Sequence, residues 1–196
     1  MFCYTCFLSK NIKQPMDLVE ACKCKDTEKA LSLIMNNDTN LGIVDNYGHT
    51  ALSYACYCGM KEVALELIKT GHANPEQVGR FKYTALVWAC QRRMKEVALE
   101  LIKTGHSNPE QVADYDYMAL MWACQNGMTE VALELIKTGH SNHEHISCWN
   151  STTALIWACQ NGMTEVALEL IKTGKSNPDY MPMKELCYHL WQCNLG

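Results

Sequence analysis

Residues 84–105 read TALVWACQRRMKEVALELIKTG. Nearly the same phrase stands at 50–71 (TALSYACYCGMKEVALELIKTG), at 118–139 (MALMWACQNGMTEVALELIKTG) and at 153–174 (TALIWACQNGMTEVALELIKTG). The starts at Thr50, Thr84, Met118 and Thr153 are spaced by 34, 34 and 35 residues. A period of this size is the mark of stacked supersecondary units. Within one unit, the pattern predicts a short apolar helix over about Thr84–Gln91, which Thr84 can cap. A break follows at Arg92–Arg93, and a second helix at Met94–Thr104. Val97, Ala98, Leu101 and Ile102 fall on one face of that second helix. Glu96, Glu100 and Lys103 point outward, and Glu100 supports Lys103 one turn on. Gly105 supplies a left-handed stop, as do Gly71, Gly139 and Gly174. One such helical pair cannot bury both of its faces, so neighbouring pairs must cover each other.

A degraded copy precedes these four. Leu18, Ala21 and Cys22 stand 34 residues before Leu52, Ala55 and Cys56, and Leu31, Leu33 and Ile34 match Leu65, Leu67 and Ile68. Asn37 replaces the stop glycine. The second helix of this copy is more polar, with Lys25, Asp26, Glu28 and Lys29. That suits an end unit whose far side meets water.

The run Asp45-Asn46-Tyr47-Gly48-His49-Thr50-Ala51-Leu52-Ser53-Tyr54-Ala55-Cys56-Tyr57-Cys58-Gly59, followed by Val63, Leu67, Ile68 and Gly71, resembles the ankyrin repeat. The resemblance covers about residues 16–178. It implies an all-α solenoid of five helix-turn-helix units with hairpin-like loops, at about 16–44, 45–78, 79–112, 113–147 and 148–178. The family's T-P-L-H signature is altered. Ala51, Ala85, Ala119 and Ala154 replace its proline, and Ser53, Val87, Met121 and Ile156 replace its histidine. The hydrogen-bond network that the family builds from that histidine is therefore not expected. The phrase ending ELIKTGHxNPE is similar to ankyrin arrays of large DNA viruses of protists.

What varies points to recognition. Residues 60–78 and 94–112 differ only at Ala73 versus Ser107, whereas the connecting segments read VGRFKY, VADYDY and ISCWNST. The resemblance makes these the hairpin tips. The family's variable positions map to Asn46, Tyr47, His49, Tyr57 and Cys58 in the second unit, and to Arg80, Phe81, Tyr83, Gln91 and Arg92 in the third. In the fourth they map to Asp114, Tyr115, Tyr117, Gln125 and Asn126, and in the fifth to Trp149, Asn150, Thr152, Gln160 and Asn161. The implied function is non-enzymatic binding of a protein partner through tips and concave inner helices. Aromatic and arginine side chains dominate interface energies, so Tyr47, Phe81, Tyr83, Tyr115, Tyr117 and Trp149 are expected to form a contact row. Units ~8–10 Å apart would spread it over ~40 Å. The third tip is basic (Arg80, Lys82, with Arg92 and Arg93 beyond its helix) and the fourth acidic (Asp114, Asp116), which suggests a partner with an acidic patch beside a basic one.

Other patterns carry less. Cys56, Cys90, Cys124 and Cys159 recur with the repeat, too far apart for disulfides, and read as small buried hydrophobes. Trp88, Trp122 and Trp157, with Tyr54, form an aromatic ladder that reads as packing. Gly174-Lys175-Ser176 lacks the upstream glycine of a phosphate loop. His140, His143, His145 and Cys148 could approach one zinc ion, but their spacing matches no common finger; a contact loop is the expected reading. Cys3-x-x-Cys6 is a weaker metal candidate still. No catalytic triad, paired-acid site or glycine-rich cradle stands out, so neither enzymatic activity nor a cofactor is expected. A net charge of −4 gives no reason to expect nucleic acid, and no apolar run reaches a membrane span. The twelve cysteines show no dense framework, which suits a reducing, cytoplasmic setting. The chain is expected to be a monomer that binds a protein partner, with a host-cell protein implied by the viral resemblance. Residues 1–15 read as an N-terminal extension. Residues 179–196, DYMPMKELCYHLWQCNLG, read as a capping helix opened by Pro182. A loose likeness to an F-box helix there raises the alternative of a ubiquitin-ligase adaptor, and a self-associating structural array is a further alternative.

Overall fold

The computed structural model describes residues 17–36, 40–140, 145–147 and 152–173. Ten α-helices lie in this part: α1 (Leu18–Lys23), α2 (Thr27–Met35), α3 (Ala51–Cys58), α4 (Lys61–Thr70), α5 (Ala85–Gln91), α6 (Lys95–Lys103), α7 (Ala119–Gln125), α8 (Thr129–Lys137), α9 (Ala154–Gln160) and α10 (Thr164–Lys172). They stack as helical pairs. Each odd-numbered inner helix packs on the next inner helix, and each even-numbered outer helix on the next outer one. The described residues contain no strand beyond an isolated antiparallel bridge, Val44 to Thr50.

The inner helices begin where a side chain can receive the first amide. Thr50, Thr84 and Thr153 accept from the backbone N–H of Ser53, Val87 and Ile156 at 3.1, 3.3 and 3.3 Å. Met118 has no such oxygen; it is fully buried instead, so the fourth pair exchanges a cap for apolar packing. The turn between helices is locked the same way each time. The N–H of Met60, Met94, Met128 and Met163 reaches the carbonyl of Ala55, Ala89, Ala123 and Ala158 at 2.8–2.9 Å, while each methionine side chain is buried. The predicted stops at Gly71, Gly105 and Gly139 have φ of 71°, 72° and 70°.

The core runs the length of the stack. Leu52, Leu86 and Leu120 from the inner helices, and Leu67, Leu101, Leu135 and Leu170 from the outer ones, are buried to 0–1% exposure together with Val63, Val97, Val131 and Val166. Each fully buried leucine or valine contributes about 1.5–3 kcal/mol. Cys22, Cys56, Cys90 and Cys124 are buried, free thiols between them. Burial pushes Cys22 and Cys90 up to about 12 and Cys159 up to about 11, so these thiols stay protonated at neutral pH. On the outer face Glu66, Glu100, Glu134 and Glu169 each pair with the lysine three residues on. Lys61 bridges to Glu96 of the next pair at 2.6 Å, and Lys95 does the same to Glu130. Thr129 and Thr164 occupy the lysine's place further along. Exposed pairs of this kind add little stability; their effect is to neutralise the outer face.

Four tips close with one repeated bond. The N–H of Asp45, Gly79, Ala113 and Ser147 donates to the carbonyl of His49, Tyr83, Tyr117 and Thr152 at 2.9–3.1 Å. The last loop spans one residue more than the others. The 35-residue spacing therefore arises from an insertion inside a tip, and the helices are untouched.

Candidate interaction surface

The second tip is organised by Asp45. Its carboxylate accepts from the N–H of Tyr47 (2.8 Å), the N–H of His49 (3.0 Å) and the hydroxyl of Tyr54 (2.8 Å). Burial acts to raise the Asp45 pKa, but the hydrogen bonds from His49, Tyr54 and Tyr47 prevail and hold it below the ordinary carboxylate value. Burial, reinforced by the bond to Asp45, raises Tyr54 well above an ordinary phenol. The His49 ring packs on Tyr54 with centroids 5.1 Å apart. Burial lowers its pKa, against the pull of Asp45, so neutral imidazole is the favoured form. Space for that ring depends on Gly79: a Cβ there would stand 2.2 Å from His49 Nδ1.

With His49 seated, the third tip lies against the second. The N–H of Arg80 donates to the Tyr47 carbonyl at 2.9 Å. The Arg80 guanidinium carbon sits 5.5 Å from the Tyr47 ring centroid and 5.0 Å from that of Phe81. Tyr47 is 53% exposed and Phe81 48%. Phe81 and Lys82 have φ of 66° and 57°, a tight left-handed reversal within the turn Arg80–Lys82.

The tip continues into the inner helices through stacked rings. Tyr83 lies on Trp88 with centroids 4.2 Å apart and planes within 28°. Trp88 in turn meets Tyr57 edge-on at 4.7 Å. The Arg92 guanidinium carbon sits 4.9 Å over Tyr57, which is 42% exposed. Tyr47, Phe81, Arg80, Tyr57 and Arg92 thus belong to one strip across the second and third pairs.

Not every expected contact residue is on that strip. Tyr83 and Tyr117 are buried, 7% and 8% exposed. Tyr83 is covered by Trp88, and Tyr117 tilts against Trp122 at 4.7 Å. Both are wall rather than contact surface, because the tryptophan at the end of the first turn of the next helix covers a ring face that would otherwise stand in water. Asp114 is half-buried in the short 3₁₀ turn Asp114–Asp116, which also carries Tyr115. Trp149 and Asn150 lie outside the described residues, as do His143 and Cys148. Of the remaining metal candidates, His140 is exposed, and His145 donates from Nε2 to the Asp116 carbonyl at 2.9 Å. That bond ties the fourth tip to the chain entering the fifth.

Two of the mapped inner-helix positions staple neighbouring pairs together. Asn126 Nδ2 donates to the carbonyls of Cys90 (2.9 Å) and Gln91 (3.3 Å), and Asn161 Nδ2 to those of Cys124 (3.1 Å) and Gln125 (3.2 Å). Carbonyls at a helix C-terminus lack intrahelical partners, and an amide one repeat away supplies them. Arg92 and Cys58 occupy the same register in the earlier pairs.

Arg93 is expected both as part of the break between helices and as part of the third unit's basic charge. It has φ 58°, where its counterparts are Gly59, Gly127 and Gly162 at 75°, 68° and 66°. A side chain in that conformation costs about 1–2 kcal/mol. Its Nε donates to Asn126 Oδ1 at 3.0 Å. The sequence did carry a signal here: the only arginines in the chain are Arg80, Arg92 and Arg93.

A family model described as ankyrin repeats (3 copies) matches residues 18–113 and 98–181. Such repeats are generally protein–protein interaction modules and typically non-enzymatic. A comparison with curated proteins finds no match. No helix among the described residues is long and apolar enough to cross a membrane.

Proposed function

This chain belongs to the ankyrin-repeat family, and we propose that it is a non-enzymatic binding module whose contact surface is the strip formed by Tyr47, Arg80, Phe81, Tyr57 and Arg92. The observation that carries this reading is the exposure of three large aromatic residues beside two arginines on one side of the stack. They stand at positions that change from unit to unit, while the helices around them are copied. Exposed aromatic rings next to arginine are the composition of interface hot spots.

The likeness to viral arrays extends the reading to a host-cell protein as partner, and the buried thiols suit a reducing compartment. The ligase-adaptor reading rests on residues 179–196, outside the described part, and no structural observation favours it.

Affinity capture tests the proposal with three proteins: the unaltered chain, Tyr47→Ala/Phe81→Ala, and Glu66→Ala/Lys69→Ala on the outer face. The expected result is a partner retained by the first and third and lost by the second, with thermal unfolding of all three within a few degrees. Retention by the tip variant, or loss only in the outer-face variant, would move the contact surface elsewhere.

A further inference from the structure

We propose that the strip recognises an acidic protein segment, one that sets carboxylates against the Arg80 and Arg92 guanidiniums. This deepens the interface reading and rests on it. The chain has no arginine outside the third unit, where Arg80 stands in the tip and Arg92 and Arg93 in the turn between α5 and α6, so positive charge that cannot be titrated away is concentrated in one unit.

The outer face offers the contrast. Every lysine of α4, α6, α8 and α10 has a glutamate within ion-pair distance. Among the described residues Arg80, Arg92 and Arg93 have no ion pair with a carboxylate. Arg80 and Arg92 are instead backed by rings, Arg80 by Tyr47 and Phe81 and Arg92 by Tyr57. A ring behind a guanidinium restrains the side chain and leaves its N–H edge outward, in the fork geometry that carboxylates match. Arg93 adds a third positive group beside Arg92 from a backbone conformation that glycine holds in the other units.

The surroundings select among anions. Asp114 and Asp116 follow in the next tip, so an extended polyanion tracking along the tips would run from cations into carboxylates. A short acidic segment ends before that point. The exposed rings of Tyr47, Phe81 and Tyr57 add apolar area between the charges, which suits a segment that mixes acidic and apolar residues. Nucleic acid, with uniform charge along its backbone, fits less well.

The test is fluorescence anisotropy of the whole chain with three labelled probes: a peptide of repeated Glu-Asp-Phe, its Gln-Asn-Phe counterpart, and a single-stranded oligonucleotide of similar length. The expected result is binding of the acidic peptide alone, weakened by added salt. Each of Arg80→Gln and Arg92→Gln should reduce it about tenfold, since a hydrogen bond to a charged group is lost in each. Both residues are exposed, so folding should survive, and circular dichroism checks that it does. Absence of acidic-peptide binding, equal binding of the neutral peptide, or tighter binding of the oligonucleotide would overturn the proposal. The two readings separate in the capture experiment. If a partner depends on Tyr47 and Phe81 but is indifferent to Arg80→Gln/Arg92→Gln, the interface stands and its acidic complement falls.

Discussion

Replacing Asn126 with alanine isolates the force that holds one helical pair to the next. Its amide donates to the Cys90 carbonyl at 2.9 Å and to the Gln91 carbonyl at 3.3 Å, both in the preceding pair. Its oxygen accepts from Arg93 Nε at 3.0 Å. A net hydrogen bond between neutral groups is worth about 0.5–1.5 kcal/mol. Cys90 O is also approached by the Arg93 N–H at 3.2 Å, so it is not orphaned by the change. One good bond, one long bond and one exposed bond to arginine give a loss of about 1.5 kcal/mol. For a chain of this size that corresponds to a fall in Tm of about 3–6 °C. Urea and thermal unfolding, followed by far-ultraviolet circular dichroism, read the loss directly. Asn126→Asp should be worse, because it removes both donors and turns a carboxylate toward two carbonyl oxygens. A loss below about 0.3 kcal/mol for Asn126→Ala, or an Asn126→Asp variant as stable as the parent, would show that apolar contact alone joins the pairs.

The converse change, Arg92→Asn, places an amide in register with the Cys56 and Tyr57 carbonyls; it should add about 1 kcal/mol of stability while weakening the acidic-peptide binding measured by anisotropy. Leu101→Ala empties a fully buried site and should cost about 2–5 kcal/mol by urea unfolding, without touching the strip. The lowered Asp45 pKa means that its contribution is complete above the unfolded value near ~3.9 and is lost as pH falls through the lower folded value. Asp45→Asn should therefore flatten the acid limb of a stability–pH curve below about pH 4, and an unchanged acid limb would remove Asp45 from its role in the tip.

The helices were legible because their periodicity is written four times over and is closed each time by glycine. Leu101, Val97 and Cys90 lie where that pattern puts them. The tips were legible as segments but not residue by residue. Tyr83 and Tyr47 look alike in sequence, yet Tyr83, which shares its register with His49, is stacked under Trp88 of the helix it leads into, while Tyr47, which shares its register with Phe81, is half in water. Asn126 stands at a position expected to vary for contact, and its stapling role is invisible locally because its partners lie 35 and 36 residues away. Arg93 could have been found from the column alone, since it stands where three other units have glycine.

In the proposed division of labour, the copied helices hold the stack while the strip across the second and third pairs makes the contact. Hydrogen–deuterium exchange with and without the captured partner tests it most directly. New protection is expected at residues 45–50, 57–59, 79–84 and 91–93, with little change in α4 and α6. Protection centred on α4 and α6, with the tips exchanging as before, would contradict it.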